Sequence, residues 1–341
     1  MNDTFVKACR GGKVDYTPVW FMRQAGRVLP EYRKLMEKTD FLTVCRTPEL
    51  TAEVTMQPVD ILGVDAAIFF SDILTTVVPM GMDLVHTPGK GPSFTNPVRS
   101  QAEVDQLTIP DPEEGLAFVY DAQKLLIKEL ANKVPLIGFA GSPLTVITYM
   151  IGAGSKVFND MLHMIFTEPA IYHSLMDKVS RFTAKYLKAQ AKAGCHAVML
   201  FDSFAGMLGP EDYLEYNLPY VKSIIAEIKG EGIPIIYFGF GAHGSLEQIK
   251  DCGADVIGLD SGLRLDKAVA QLGPGVSVQG NIEPYVLTQS REQIEARVKQ
   301  TLAQGKGARG HVFNLGHGVP PEAPVDNVKA MVDAVHKFSQ R

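Results

Sequence analysis

Eight short apolar runs, separated by stretches with helical periodicity, restrict the folds that this chain can adopt. Each run is too brief and too continuous for an amphipathic helix, and this alternation is typical of parallel strands covered by helices. The runs span residues 19–22, 66–70, 136–140, 197–201, 235–238, 256–259, 276–278 and 311–314. Eight strand-helix units predict an α/β fold, a single (β/α)8 TIM-type barrel domain over residues 1–341, with a doubly wound sheet as the alternative.

Local signals place several elements within this alternation. The pairs Thr47-Pro48 and Ser142-Pro143 predict helix starts, with proline at the first helical position. Apolar residues recur every three or four positions in 325–338, which puts them on one face of a helix. Residues 83–111 are dense in proline and glycine and predict a hairpin insertion after strand two, either a solvent-exposed loop or a functional lid.

Composition limits the partners and the compartment. A net charge of -5 gives no basic field for nucleic acid or an anionic membrane, so an anionic ligand needs a local cationic cluster. Four cysteines stand far apart without C-x-x-C spacing, which argues against a disulfide framework and a structural zinc site. The sequence shows no signal peptide and no apolar run approaching the ~20 residues of a membrane span, so we expect a soluble, cytoplasmic protein.

Two arginines follow the first apolar run at a spacing of four residues. Arg23 and Arg27 are expected at the rim of the core, because the strand that precedes them ends there. Each guanidinium can hold an oxyanion through two parallel hydrogen bonds and stays charged near neutral pH. The pair predicts a substrate with several carboxylates or phosphates. The alternative is a structural role, in which the arginines pair with buried acids at the barrel rim.

Polar residues also follow the other predicted strands. Because active sites of barrel enzymes lie at the carboxyl ends of the strands, these residues are expected to share one site. They are Ser71-Asp72, Gly141-Ser142 with Tyr149 further on, Asp202-Ser203, Gly239 to His243, Asp260, Gly280-Asn281, and Asn314 with Gly316-His317-Gly318. No strand ends in lysine, which removes Schiff-base chemistry, and no H-x-H or H-E-x-x-H pair predicts a metal site.

Five segments together resemble the uroporphyrinogen decarboxylase family. They are residues 18–33, 69–74, 138–143, 201–203 and 314–318, so that the likeness extends over nearly the whole chain. The resemblance implies decarboxylation of the four acetate side chains of uroporphyrinogen III to methyl groups, giving coproporphyrinogen III in haem biosynthesis. It also implies a cofactor-independent enzyme that forms a homodimer, with no metal.

The same resemblance implies a set of substrate-binding residues: Arg23, Gln24, Ala25, Gly26, Arg27, Asp72, Tyr149, Ser203 and His317. Asp72 is implied as the catalytic residue that stabilises the transition state. Without metal or imine, the electrons of the departing carboxylate must enter the substrate itself, and a pyrrole protonated at a ring carbon can accept them. A carboxylate that accepts hydrogen bonds from pyrrole N–H groups would stabilise this charge. The proton donor remains open among Arg27, Tyr149, His317 and a bound water.

Several of these residues have structural alternatives. Asp72 could cap the following helix, and Asp202 could accept backbone N–H groups at a helix start rather than contact a ligand. Tyr149 lies in an apolar stretch, where a core aromatic residue is expected. His317 between two glycines indicates close approach of a ligand to the backbone, although histidines in turns are often surface residues. His196 and His243 are interpreted as structural.

Three other functions compete with decarboxylation. A corrinoid-dependent methyltransferase of similar fold would need a zinc site of the form H-x-C, but here the sequence is His243-Gly244-Ser245. A phosphate-binding barrel lyase or isomerase would use the glycines after strands seven and eight. A tetrapyrrole carrier would be expected to offer an axial histidine or cysteine, whereas the resemblance puts a carboxylate, Asp72, at the centre.

Overall fold

The computed structural model describes residues 2–87, 91–152 and 158–341. A parallel sheet of seven strands in the order β1-β4-β5-β6-β7-β8-β9 forms its centre, and β2 and β3 form a separate antiparallel pair. The strands are β1 (Ala67–Ile68), β2 (Leu84–Thr87), β3 (Gly91–Phe94), β4 (Leu136–Gly141), β5 (Ala197–Asp202), β6 (Ile235–Gly239), β7 (Val256–Gly258), β8 (Ser277–Gln279) and β9 (His311–Val312).

The segment 18–20 closes the sheet into a barrel. Phe313 N donates to Pro18 O at 2.8 Å and Trp20 N donates to Phe313 O at 3.3 Å, which forms a parallel bridge at Val19 beside β9. On the other side, Asp65 N donates to Val19 O at 2.8 Å, next to β1. The predicted (β/α)8 barrel is therefore confirmed.

The strand predicted at residues 19–22 is wrong in its extent, because it forms a single bridge rather than a strand. The N–H groups of Phe21 and Met22 donate to the side chains of Gln24 (2.9 Å) and Asn314 (3.2 Å) instead of to a neighbouring strand. Side-chain oxygens thus replace the strand ladder immediately before Arg23. Backbone donors in the core are satisfied in this way without regular pairing.

Helices cover the outside of the barrel. They are α1 (Thr4–Cys9), α2 (Pro30–Met36), α3 (Phe41–Arg46), α4 (Pro48–Leu62), α5 (Gln101–Gln106), α6 (Pro112–Gly115), α7 (Ala117–Leu130), α8 (Pro143–Gly152), α9 (Phe158–Thr167), α10 (Pro169–Lys192), α11 (Pro210–Tyr216), α12 (Leu218–Ile228), α13 (Leu246–Ile249), α14 (Leu265–Leu272), α15 (Arg291–Gln304) and α16 (Val325–Ser339). Short 3₁₀ turns include Thr75–Met80 after β1 and Pro284–Thr288 after β8. No helix of the described chain is long and apolar enough to cross a membrane.

The predicted helix starts at Pro48 and Pro143 are confirmed, but the residues before them do not cap. The Thr47 hydroxyl donates to Thr43 O at 2.8 Å, and the Ser142 hydroxyl is buried without a partner among the described residues. Proline alone therefore begins both helices, because its fixed φ suits the first turn and its missing N–H is not needed there. The predicted C-terminal helix is α16.

The hairpin insertion is also confirmed. β2 pairs with β3 from Leu84↔Phe94 to Thr87↔Gly91, between β1 and β4. Phe94 is buried, whereas Val85, His86 and Thr87 are exposed, which agrees with a solvent-exposed excursion. Residues 88–90, part of the Pro/Gly-rich stretch, lie outside the described residues.

Large side chains fill the barrel interior. Trp20 is fully buried and donates through Nε1 to Gln279 Oε1 at 3.0 Å, so the indole N–H is satisfied inside the core. The four cysteines are buried with free thiols. A packed interior leaves the carboxyl ends of the strands as the surface on which a site can be built.

Candidate active site

The polar residues that follow the strands lie at one end of the barrel, because all barrel strands are parallel. We call this end the barrel mouth; it carries the segments 23–27, 71–72, 141–142, 202–204, 240–243, 260–262, 280–281 and 314–318. Parallel pairing such as Asp202↔Gly239 and Gly141↔Phe201 sets their height relative to one another. The prediction that strand ends converge is therefore confirmed for the backbone.

Arg23 leaves the first barrel segment in an unusual conformation. Its φ is +60°, in the left-handed region that a residue with a Cβ rarely adopts. Such strain persists only where the surrounding structure over-determines it, and it concentrates at functional sites. The Arg23 side chain is exposed at the mouth, and no carboxylate of the described residues forms an ion pair with it.

Tyr149 and His317 share the electrostatic environment of Arg23. Burial raises the pKa of the Tyr149 hydroxyl, and the charge of Arg23 partly offsets that rise. Burial also lowers the pKa of His317, with a further lowering from Arg23 and opposing contributions from Asp260 and Glu283. The Arg23 side chain packs against Gly318, next to His317, which places the loop after β9 beside that arginine. Tyr149 extends from helix α8.

Aromatic rings line this cluster on two sides. The rings of Tyr149 and Phe204 have centroids 5.6 Å apart, and Phe158 meets Phe204 edge-on at 4.6 Å. His317 meets Phe240 edge-on at 5.2 Å. Phe240 is 40% exposed, so that part of its ring faces solvent beside His317. The sequence reasoning missed Phe204, which directly follows Asp202-Ser203, and it did not single out Phe240 within the predicted strand-end segment Gly239 to His243.

Ser203 lies between the buried Asp202 and Phe204, half-buried at the mouth. Its position beside Phe204 puts it on the same loop as the aromatic contact to Tyr149. Asp202 itself faces a buried network: it accepts from Asn217 Nδ2 at 2.7 Å, Thr145 Oγ1 at 2.9 Å and Tyr237 OH at 3.0 Å. Burial raises the pKa of Asp202, and these hydrogen bonds offset part of the rise. Asp202 therefore accepts from side chains, not from the backbone N–H groups considered above.

Asp72 caps the 3₁₀ turn Thr75–Met80. Its Oδ1 accepts the N–H groups of Leu74 at 2.5 Å and Thr75 at 2.7 Å, and its Oδ2 accepts a short hydrogen bond from the Thr75 hydroxyl. No hydrogen bond or ion pair in the described ranges joins Asp72 to Arg23 or to His317. The carboxylate remains half-buried. Its Oδ1 already accepts two hydrogen bonds, whereas its Oδ2 can accept one more.

Side-chain hydrogen bonds fix the backbone of the segment 23–27 that carries the two arginines. Gln24 is buried, with Oε1 accepting from Phe21 N at 2.9 Å and Nε2 donating to Ala66 O at 3.0 Å. Ala25 and Gly26 are half-buried. Arg33 Nη1 donates to the carbonyl oxygen of Arg27 at 2.6 Å. The Arg27 guanidinium itself is exposed and forms no ion pair with any described residue.

The two glycines around His317 contact protein rather than open space. A Cβ on Gly316 would lie 2.3 Å from Ser261 N, and one on Gly318 would lie 2.4 Å from Arg23 Cδ. The space beside these glycines is filled by residues of two other loops, so the expected close approach of a ligand to their backbone is wrong. Their absence of side chains sets the position of His317 relative to Arg23.

His243 pairs with Asp260 at the mouth. His243 Nε2 lies 2.6 Å from Asp260 Oδ1, and Asp260 also accepts the N–H groups of Gly241 and Gly262 at 2.7 Å. Ser245, at the position where a zinc-binding relative would need a thiolate, is buried. In the described part of the chain, no three or more His, Cys, Asp or Glu residues form a group that could hold a metal ion.

Taken together, the fold and the mouth define a class. The molecule is a (β/α)8-barrel enzyme whose mouth carries exposed arginines, a histidine and a half-buried carboxylate on the loops after the strands, with a tyrosine on helix α8. The model of the uroporphyrinogen decarboxylase (URO-D) family matches residues 1–338. The chain belongs to the uroporphyrinogen decarboxylase family.

Individual relatives agree with this assignment. The chain is 50% identical to the uroporphyrinogen decarboxylases of Geobacter metallireducens and Geobacter sulfurreducens, each over 342 residues and 100% of both chains. Among solved structures, a methyltransferase from Methanosarcina mazei superposes with a TM-score of 0.84 at 20% identity, covering 99% of this chain and 98% of the other. That likeness shows the shared fold alone.

Proposed function

We propose that this protein removes the four acetate carboxyl groups of uroporphyrinogen III, leaving methyl groups and giving coproporphyrinogen III for haem biosynthesis. Full-length identity of 50% to uroporphyrinogen decarboxylases supports the reaction. The observation that carries the site assignment is the exposed Arg23 guanidinium, whose stem packs against Gly318 next to His317 and which forms no ion pair with any described residue. An unpaired guanidinium at a barrel mouth suits a carboxylate of the substrate.

In this proposal the arginines hold substrate carboxylates and the aromatic residues contact the macrocycle. Arg23 and Arg27 provide two planar forks, and the exposed ring of Phe240 offers an apolar surface beside His317. Tyr149, Ser203 and His317 contact side-chain carboxylates or the ring. Gln24, Ala25 and Gly26 contribute through their backbone, since the Gln24 amide already bonds to Phe21 and Ala66.

The chemical step uses the substrate as its own electron acceptor. A pyrrole protonated at the ring carbon next to an acetate becomes a cation, the C–CO2 bond breaks, and its electrons neutralise that cation. A second proton then converts the exocyclic carbon to methyl, and the first proton leaves the ring carbon, which restores the aromatic pyrrole. Asp72 stabilises the cation by its negative charge and by accepting a pyrrole N–H on the remaining lone pair of Oδ2, while it keeps its hydrogen bonds to Leu74 and Thr75. These backbone bonds hold the carboxylate in place, as preorganisation requires.

The reaction is tested by incubating the protein anaerobically with uroporphyrinogen III and following the product masses. We expect products that have lost one, two, three and finally four molecules of CO2. An unchanged substrate with folded protein would reject the function.

Cofactor independence distinguishes this reaction from a zinc-dependent methyl transfer. We propose that no metal or cofactor takes part, which is supported by the hydrogen bond of His243 to Asp260 and by Ser245 in place of a thiolate. Dialysis against a strong chelator should leave the decarboxylation rate unchanged. Loss of activity that zinc restores would favour the methyltransferase-like alternative.

We also propose a homodimer, which rests on the resemblance to the family, and a cytoplasmic location, which is supported by the four buried free cysteines. Sedimentation equilibrium of the purified protein tests the assembly, and a mass of one chain across the working concentration range would reject it. Fractionation of the source cells tests the compartment.

A further inference from the structure

Asn314 is a fully buried residue just beyond β9, and its side chain joins two loops of the mouth. Its Oδ1 accepts the N–H of Met22 at 3.2 Å and the N–H of Leu315 at 2.8 Å. Two donors on one atom decide which end of the carboxamide is oxygen, because the NH2 group could not accept from either. The side chain is therefore oriented by its neighbours.

The two bonded residues stand next to the site. Met22 precedes Arg23, and Leu315 is two residues before His317. A second bond reinforces the link, since Val319 N donates to Met22 O at 2.9 Å. Both main-chain groups of Met22 are thus fixed by the segment 314–319, which carries His317.

This fixation occurs where the backbone is strained. Arg23 has φ +60°, and a residue with a Cβ holds that conformation only when its surroundings impose it. The anchor just before Arg23 is the bond from Met22 N to Asn314. Asn314 Nδ2, in contrast, is buried and has no partner among the described residues. The oxygen is therefore the atom through which the Asn314 side chain bonds to both loops.

We propose that Asn314 is a positioning residue: its Oδ1 holds Arg23 and His317 in a fixed relation, so that one substrate molecule meets both groups already in place. The proposal rests on the proposed decarboxylase function. It assigns no contact between Asn314 and the substrate. The gain comes from preorganisation, because a misplaced binding group loses much of its effect on rate.

The test compares Asn314→Leu with Asn314→Asp in the decarboxylation of uroporphyrinogen III. Leucine has a similar size but no acceptor, and we expect kcat/KM to fall at least about thirtyfold. Aspartate keeps an oxygen that accepts the same two N–H groups, so kcat/KM should remain within about fivefold of wild type. If the residue only filled space, leucine as well as aspartate should leave kcat/KM near the wild-type value.

A double variant shows whether Asn314 acts through Arg23. If it does, the fold-loss in kcat/KM of the double variant Arg23→Lys/Asn314→Leu should be clearly smaller than the product of the losses of the two single variants. Asn327→Leu is the control for stability. It removes a half-buried amide that donates to Leu287 O and Gln289 O, away from the arginine loop. It should lower the melting temperature and leave kcat/KM within about twofold.

The outcomes separate the two proposals. A wild-type protein without activity would reject the decarboxylase function and, with it, this role. An active wild type together with Asn314→Leu at normal kcat/KM would overturn the Asn314 role alone. Should the leucine variant fail to fold, Asn314→Asp still decides, because a loss above about tenfold at a wild-type melting temperature would contradict the account.

Discussion

The side chain of Arg23 lies directly against Gly318, at a distance that leaves no room for a methyl group. A Cβ on Gly318 would come within 2.4 Å of Arg23 Cδ and 2.7 Å of its Cγ. The loop that carries His317 therefore supports the stem of the arginine. Gly318 packs against the stem of Arg23, and Met22, the residue before it, is hydrogen-bonded to Asn314 and Val319. The guanidinium stays exposed at the mouth.

Replacing Gly318 with alanine should displace the arginine without unfolding the protein. Gly318 has no left-handed φ, so alanine meets no backbone strain and only the Arg23 stem must move. We expect kcat/KM to fall about tenfold or more, with little change in melting temperature. Gly275→Ala is the matched control, since no atom lies within 4 Å of its added Cβ. Normal kinetics in Gly318→Ala would show that the contact is unimportant.

Lysine in place of either arginine should impair binding although the charge is kept. Arg23→Lys and Arg27→Lys lose the planar fork that holds a carboxylate through two hydrogen bonds. We expect kcat/KM to fall at least about tenfold for each, equivalent to ~1.4 kcal/mol. Steady-state kinetics with uroporphyrinogen III measure this. Wild-type values in both variants would remove the carboxylate-binding role.

Asp72→Asn should separate the structural from the chemical role of this residue. Asparagine can still accept the N–H groups of Leu74 and Thr75 through its one oxygen, so the 3₁₀ turn should persist. Turnover should nevertheless drop about a hundredfold or more, because the negative charge opposite the pyrroles is lost.

Thr75→Val is the companion to that variant. It removes the hydroxyl that bonds to Asp72 and keeps the carboxylate, so it should cost stability and leave turnover within a few-fold of wild type. If Asp72→Asn retained more than about a tenth of normal turnover, Asp72 would be a cap and nothing more.

The sequence predicts the barrel well because eight apolar runs each had to be buried on both faces. It overestimates the strand at 19–22, since nothing in the run itself shows that Gln24 and Asn314 take its N–H groups. It places the site residues at one end but not their contacts. The packing of Gly318 on Arg23 and of Phe240 on His317 depends on loop paths, which long-range contacts decide.

Acid should destabilise the fold through His311. Burial lowers the pKa of His311 to about 4, and its Nε2 lies 2.9 Å from Gly280 O. Below its ordinary pKa of 6.5 the unfolded chain therefore binds a proton that the folded protein does not, so the free energy of unfolding falls as pH drops from 6.5 towards 4.

The full difference amounts to roughly 3 kcal/mol. His311→Gln keeps a donor for Gly280 O but cannot titrate in this range. Urea unfolding at a series of pH values should give a shallower acid loss for this variant than for wild type. Parallel curves between pH 7 and 4.5 would contradict the assignment.

The central claim is tested most directly by comparing two oxidation states of one macrocycle. Uroporphyrinogen has saturated bridges, so its ring can bend and turn several N–H groups toward Asp72. Each of its pyrroles can also accept a proton independently of the others. Uroporphyrin is planar and aromatic, and its unprotonated nitrogens would face the carboxylate with lone pairs in a desolvated site. With each incubated anaerobically at equal concentration, the account predicts CO2 release from uroporphyrinogen and none from uroporphyrin. Comparable release from both would contradict the pyrrole electron acceptor and the role of Asp72 together.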